Sequence, residues 1–201
     1  MSSVNGETRA KVATNLLHDY GYFNGSVSYE EIPQKDPKTA KVNYTIDMAQ
    51  PYFLDSIAYL KYPAVADSLI QAARKQSVLK SGENFSVIKL EEERQRLSSL
   101  LRNHGYYYFR PEFTTYRADT LLKPGYVSLQ VVPQKGIPSE AKRQFYIGKT
   151  SVYLTGYNNE SPTDTLSMRT MDIYYSGDKP GLRPSALMRN LFFRKGDLFS
   201  Q

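Results

Sequence analysis

Leu90, Leu97, Leu100 and Leu101 fall on one face at helical spacing, and the run they define stops at Gly105. Beyond that glycine the period changes. Val127, Leu129 and Val131 alternate with polar positions over 125–132, which predicts a half-buried strand. An aromatic-rich stretch over 106–116 predicts a second strand, and the polar segment 117–124 joins the two as a hairpin. The same succession stands earlier in the chain. A helix ends at Gly21, strands are predicted over 26–32 and 40–48, and Val42, Tyr44, Ile46 and Met48 alternate in the second of them, with 33–38 as the joining loop.

The two successions are copies. Leu16-Leu17-His18-Asp19-Tyr20-Gly21-Tyr22-Phe23 recurs as Leu100-Leu101-Arg102-Asn103-His104-Gly105-Tyr106-Tyr107, an offset of 84 residues. Gly21 and Gly105 each follow a helix end, where a left-handed residue closes the helix and glycine alone escapes the Cβ penalty. A second signature repeats upstream of the helix: Gly82-Glu83-Asn84-Phe85-Ser86 and Gly196-Asp197-Leu198-Phe199-Ser200. Ahead of each lie matching strand openings, Tyr52-Phe53-Leu54 and Phe145-Tyr146-Ile147. Between strand opening and glycine a further helix is predicted. Its apolar face is Ala66, Leu69, Ile70 and Ala73 in one copy, and Leu187, Leu191 and Phe192 in the other. Pro63 and Pro184 sit near the starts of these helices, where a missing N–H does no harm.

The repeating unit is therefore strand, helix, helix, strand, strand. Residues 51–134 hold it whole; 1–50 carry its second helix and hairpin, and 135–201 its opening part. We expect a piece of a longer chain that continues in both directions. The last copy is altered, with 39 residues from Phe145 to Pro184 where the complete copy has 11 from Tyr52 to Pro63. Within the insertion Met171, Ile173 and Tyr175 alternate over 170–176. That stretch is expected to pair back on 150–154 as an elongated hairpin, through a turn at 158–162.

Composition narrows the function without naming it. With 40% apolar and 23% charged residues the chain is an ordinary globular one, rich in Tyr (17) and free of Trp and Cys. No stretch reaches the roughly 18 consecutive apolar residues of a spanning helix, and the N-terminus has no signal-peptide pattern. The net charge of +6 is spread thinly, running from −1 over 1–50 through +3 over 51–134 to +4 over 135–201. No dense basic stripe of the kind that tracks a phosphate backbone exists, so nucleic acid is not an expected partner.

Chemistry-bearing candidates reduce to bland readings. His18 and His104, the only histidines, each stand near a helix end before a glycine and belong to different copies, which argues against a shared metal site or a triad. HExxH, Gly-rich phosphate loops and GxSxG elbows are absent. Glu91, Glu92 and Glu93 read as a solvated helix face, with Glu92–Arg96 as an i,i+4 ion pair. No catalytic, cofactor-binding or metal-ligating residue is expected, and the protein is not expected to be an enzyme. The run Gly105 to Phe109 is weighed chiefly as strand core and inter-unit packing, with stacking on a ligand as the sharper alternative.

The order of elements, the helix–Gly–Tyr–aromatic junction and the Gly-acidic-x-Phe-Ser entry to the second helix together resemble the polypeptide-transport-associated (POTRA) domains. These stand in tandem in BamA/TamA-like outer-membrane assembly proteins and surface-antigen barrel proteins. The resemblance implies an α+β fold of tandem β-α-α-β-β units, each a three-stranded mixed sheet with two helices packed on one face. It implies a location on the periplasmic side of a Gram-negative outer membrane, with a downstream membrane β-barrel in the same parent chain. Implied partners are unfolded outer-membrane or secreted polypeptides and accessory periplasmic proteins or lipoproteins. No cofactor is implied. A two-partner secretion transporter or a purely structural spacer would use the same units.

A three-stranded sheet has two edges, and an edge offers unpaired backbone groups to an extended peptide. Pro111 cannot donate to a ladder, so the strand predicted over 106–116 is expected at an edge. Tyr106, Tyr108, Arg110 and Glu112 are its expected outward contacts, and Gly21, Gly105, Gly82 and Gly196 are expected to be structural.

Overall fold

A computed structural model describes residues 5–35, 40–155 and 161–201; parts of the loops expected at 33–38 and 158–162 lie outside the described residues. By compactness the chain divides into two units. One runs to Leu100 and includes Arg110–Ile137, and the other comprises Leu101–Phe109 and Pro138–Gln201. This grouping differs from the repeat boundaries. The first two copies share a unit, and the aromatic run after Gly105 belongs with the last copy.

In the first unit, helix α1 (Gly6–Asp19) is capped by Asn5, whose side chain accepts from Thr8 N at 3.1 Å. A hairpin follows, β1 (Ser26–Pro33) antiparallel to β2 (Ala40–Asp47). Helix and hairpin are tied where Thr14 Oγ1 accepts from Val27 N at 3.0 Å.

The complete copy then runs β3 (Phe53–Tyr59), α2 (Ala64–Ala72), α3 (Val87–Arg102), β4 (Thr114–Asp119) and β5 (Tyr126–Pro133). Its sheet order is β3-β5-β4, with β3 parallel and β4 antiparallel to the central β5. This is the three-stranded mixed sheet of a β-α-α-β-β unit. Val127, Leu129 and Val131 are buried on the face where α2 contributes Ala66 and Ile70 and α3 contributes Leu97. Ser56 and Gln130, on the other face, are exposed. Leu54 and Tyr59 are both buried although five positions apart in one strand. A bulge between Leu54 and Ile57 reconciles them, since 54, 57 and 59 align with 127, 129 and 131 of β5. Each fully buried aliphatic side chain here stabilises the unit by about 1.5–3 kcal/mol.

The second unit holds β6 (Thr150–Tyr153), β7 (Asp164–Ser167), β8 (Met171–Tyr175) and α4 (Pro184–Asn190). The expected pairing of 170–176 with 150–154 is present, but it is parallel and not a hairpin. The hairpin partner of β8 is β7, closed by a tight turn in which Met168 N donates to Met171 O at 2.8 Å. The connection from β6 to β8 is long enough for a parallel return, and β7 is made within it. Tyr153 and Tyr174, opposed in this register, stack at 4.6 Å and 8°.

Candidate functional site

Four hydrogen bonds close one edge of the complete copy, two of them made by its repeated signature. Leu54 N donates to Glu83 O at 2.8 Å, and Gly82 N donates to Leu54 O at 2.7 Å. Farther along β3, the Arg74 guanidinium donates to Ile57 O at 2.9 Å, and Ser81 Oγ donates to Asp55 O. The outer side of β3 is therefore occupied by its own chain. Gly82 makes the turn with φ +84°. Lys89 bonds the Glu83 carboxylate at 2.5 Å and holds its pKa below the usual range. In the last copy Gly196 and Asp197 make the same pair of bonds to Ile147, both at 2.8 Å.

The opposite edge, β4, is open. Gln134 N donates to Phe113 O at 2.8 Å, which fixes the hydrogen-bonded pairs as 115/132, 117/130 and 119/128. Pro133, which has no N–H, falls opposite Thr114 at a non-bonded position, as this register requires. The backbone groups of Thr114, Tyr116 and Ala118 consequently point away from the sheet. Thr114 N turns back to Pro111 O. Those of Tyr116 and Ala118 meet no backbone partner among the described residues. The Tyr116 ring is clamped on the helix side: its hydroxyl donates to Leu90 O at 2.6 Å, and Arg94 lies 5.2 Å over the ring. Burial drives the Tyr116 hydroxyl pKa well up. A strand so clamped presents its outer groups in fixed positions.

The strand expected over 106–116 starts only at Thr114, so the expected edge contacts need correction. Gly105 has φ +90°, and Phe109 N donates to Tyr106 O at 2.9 Å, so the chain turns directly after the helix. Pro111 opens a 3-10 turn over Pro111–Phe113, where its fixed φ is at home. Tyr106 is buried and cannot face outward. Tyr108 is exposed but sits edge-on to Phe145 at 5.2 Å, and Arg110 and Glu112 are exposed on the turn ahead of β4. None of the four lies on a strand. Pro111 leaves the edge 114–119 unblocked.

The glycines after the helices build a joint that occurs twice. Tyr52 N donates to Gly21 O, and Phe85 N to Tyr52 O, both at 2.8 Å. Phe145 N donates to Gly105 O at 2.8 Å, and Phe199 N to Phe145 O at 3.0 Å. Aromatic side chains seal each joint, with Phe23 against Tyr52 and Phe85 at 5.1 Å in one and Tyr107 against Phe199 at 4.8 Å in the other. A Cβ on Gly21 would stand 2.7 Å from the carbonyl oxygen of Phe85.

Behind the sheet lies a group that the sequence pattern does not single out. Glu93, expected on a solvated face, is fully buried. It accepts from the Tyr59 hydroxyl at 2.5 Å, from Val78 N at 3.1 Å and twice from Arg96, at 2.5 and 2.9 Å. The ion pair is thus 93–96 and not 92–96. Tyr59 faces Glu93 from β3, and that long-range partner decides which of three consecutive glutamates turns inward. The Tyr59 hydroxyl pKa is raised by burial first and by Glu93 second. Among the described residues no helix is long and apolar enough to cross a membrane, and no three acidic or His side chains converge as a metal site.

The chain is similar to POTRA domains 3–5 of BamA from Haemophilus influenzae, at 11% identity and TM-score 0.44, covering all of this chain and 66% of that one. It is similar to BamA from Haemophilus ducreyi lacking POTRA domains 1–3, at 15% identity and TM-score 0.43, over 67% of this chain and 23% of that one. It is also similar to the N-terminal domain of Omp85 from the thermophilic cyanobacterium Thermosynechococcus elongatus, at 15% identity and TM-score 0.33, over 96% and 66%. No protein-family profile and no curated protein matches the sequence. The chain spans less than two thirds of each of these three structures.

Proposed function

We propose that this is the periplasmic POTRA-type region of an outer-membrane protein that assembles barrel proteins or translocates polypeptides, and that it binds extended client segments as an added strand on β4. The observation that supports this is the asymmetry of the complete unit. Its β3 edge is filled by Gly82–Glu83 and Arg74, while the outer groups of Tyr116 and Ala118 on β4 are left without backbone partners among the described residues. Main-chain pairing tolerates many sequences, which suits a receptor for varied unfolded polypeptides. Accessory periplasmic proteins or lipoproteins would dock on the same units, and a barrel would follow in the parent chain. No step of this activity calls on a cofactor or a catalytic residue.

Amide hydrogen exchange on the full chain tests it. Excess extended, alternately apolar peptide slows exchange at Tyr116 and Ala118 while Val127 and Leu129 stay as they were. Unchanged exchange at both β4 positions under saturating peptide defeats the reading.

A structural spacer is the second reading, and the doubled joint favours it. The same hydrogen bonds at Gly21–Tyr52–Phe85 and Gly105–Phe145–Phe199 would set fixed spacing in a tandem array. It predicts the unchanged exchange just described.

A further inference from the structure

The helix-free side of β4 carries two opposite charges with no opposite charge across from them. Arg117 faces Gln130 and Asp119 faces Ser128 in the β4–β5 register. Both are exposed, and among the described residues neither enters an ion pair. Asp119 makes one local bond, accepting from Leu121 N at 2.9 Å, which fixes the start of the hairpin turn. With Ser56, Ala58, Ser128, Gln130 and Leu122 they border a shallow hollow on this face. Within the sheet, β5 lies on one side of them and the free edge on the other.

We infer that Arg117 and Asp119 read the register and direction of the strand that β4 accepts. The inference rests on the edge-binding reading above and adds a sequence preference to it. A strand added to β4 bonds to the outward groups of Tyr116 and Ala118. Its residues opposite Arg117 and Asp119 then occupy non-hydrogen-bonded positions, where facing side chains come closest. Those residues point to the helix-free side, as Arg117 and Asp119 do. An antiparallel client meets Asp119 first and Arg117 two residues later, so its complementary pattern is Lys-x-Glu. A parallel client requires Glu-x-Lys. Antiparallel pairing is the more stable per residue, so Lys-x-Glu is the favoured order. Cross-strand charge pairs are individually weak, and two of them give a preference of roughly fivefold.

The test uses the full chain and two peptides of identical composition, Thr-Val-Lys-Val-Glu-Val-Thr and Thr-Val-Glu-Val-Lys-Val-Thr, titrated by chemical shift at low ionic strength. The first is expected to bind roughly fivefold tighter, and exchanging the charges in the protein (Arg117→Asp with Asp119→Arg) is expected to invert the order. Should the double exchange disturb the Asp119 turn, Arg117→Glu keeps that turn and shifts the preference to a peptide with Lys at both positions. Equal binding of both peptides through shifts at Tyr116 and Ala118 overturns the charge reading and leaves edge binding standing. No shift with either peptide overturns both.

Discussion

The Tyr59 hydroxyl donates to Glu93 Oε1 at 2.5 Å, tying the end of β3 to the middle of α3 across 34 residues of sequence. Ser77, which shares a 2.8 Å bond with the same hydroxyl, and Val78 N bring the segment after α2 to this point. Strand β3, helix α3 and the connection between the two helices therefore meet at one carboxylate.

Removing that carboxylate strands the Arg96 guanidinium, the Tyr59 hydroxyl and the Val78 amide together. Glu93→Ala is expected to destabilise the complete unit by about 3–5 kcal/mol, the range for breaking a buried ion pair from one side. Replacing both charges, Glu93→Leu with Arg96→Leu, is expected to cost less than the single change, because no charge is left unpaired. Urea unfolding of the three proteins checks the order. A Glu93→Ala protein as stable as the parent rejects the buried pair.

The two joint glycines separate strain from crowding. Gly21 and Gly105 share a left-handed backbone, near φ +90° in both, so an Ala at either carries a similar conformational penalty of about 1 kcal/mol. They differ in what the new methyl meets. At Gly21 it is the backbone oxygen of Phe85 at 2.7 Å, whereas at Gly105 it is Leu198 Cδ1 at 2.6 Å, the far end of a side chain that can swing aside. Gly21→Ala is expected to lower the thermal midpoint more than Gly105→Ala. The reverse order would mean that the oxygen of Phe85 moves more readily than the side chain of Leu198.

Buried tyrosines set an alkaline limit. Burial pushes the Tyr62 hydroxyl up to about 12, against about 10 in an unfolded chain, and raises Tyr59 and Tyr116 as well. A raised folded pKa favours the neutral form, so the stabilising contribution is fully present below pH 10 and disappears as pH climbs through the folded value. For Tyr62 alone the two-unit difference corresponds to roughly 2–3 kcal/mol by pH 12. Spectrophotometric titration is expected to show a late group, Tyr59, Tyr62 and Tyr116, that ionises only with unfolding. A single smooth transition at pH 10 contradicts this.

The succession of elements is legible in the chain because period changes mark it. Leucines at helical spacing, a glycine stop and then alternation yield α3 and β5 directly. The repeated signature at Gly82 is legible, but its closing of the β3 edge is not, because Gly82 and Glu83 act there through backbone groups. The start of β4 is misread for a different reason. The run from Tyr106 to Phe109 has high strand propensity, but Gly105 and Pro111 fix the backbone around it as turns, and local conformation outweighs propensity. The strand–strand pairing of the last copy is legible in alternation, whereas its direction depends on β7, a four-residue strand too short to stand out. Glu93 stays hidden because burial there is decided by Tyr59, a residue in another element.

The open edge can be closed by a single substitution that leaves the ladder intact. Ala118 stands opposite Leu129 at a non-hydrogen-bonded position of the β4–β5 pair, so its N–H points outward and does nothing for the sheet. Proline is tolerated at such edge positions, since it removes only the outward donor. Ala118→Pro is expected to change stability by less than about 1 kcal/mol while abolishing the peptide-induced protection of Tyr116. Arg117→Pro is the contrast, because the Arg117 N–H is directed to Gln130 and its loss breaks the ladder. That variant is expected to lose clearly more stability than Ala118→Pro, whether or not peptide is present. Urea midpoints and exchange at Tyr116, measured on both proteins, separate the binding edge from the structural one. Retained peptide protection in Ala118→Pro would show that the client pairs elsewhere.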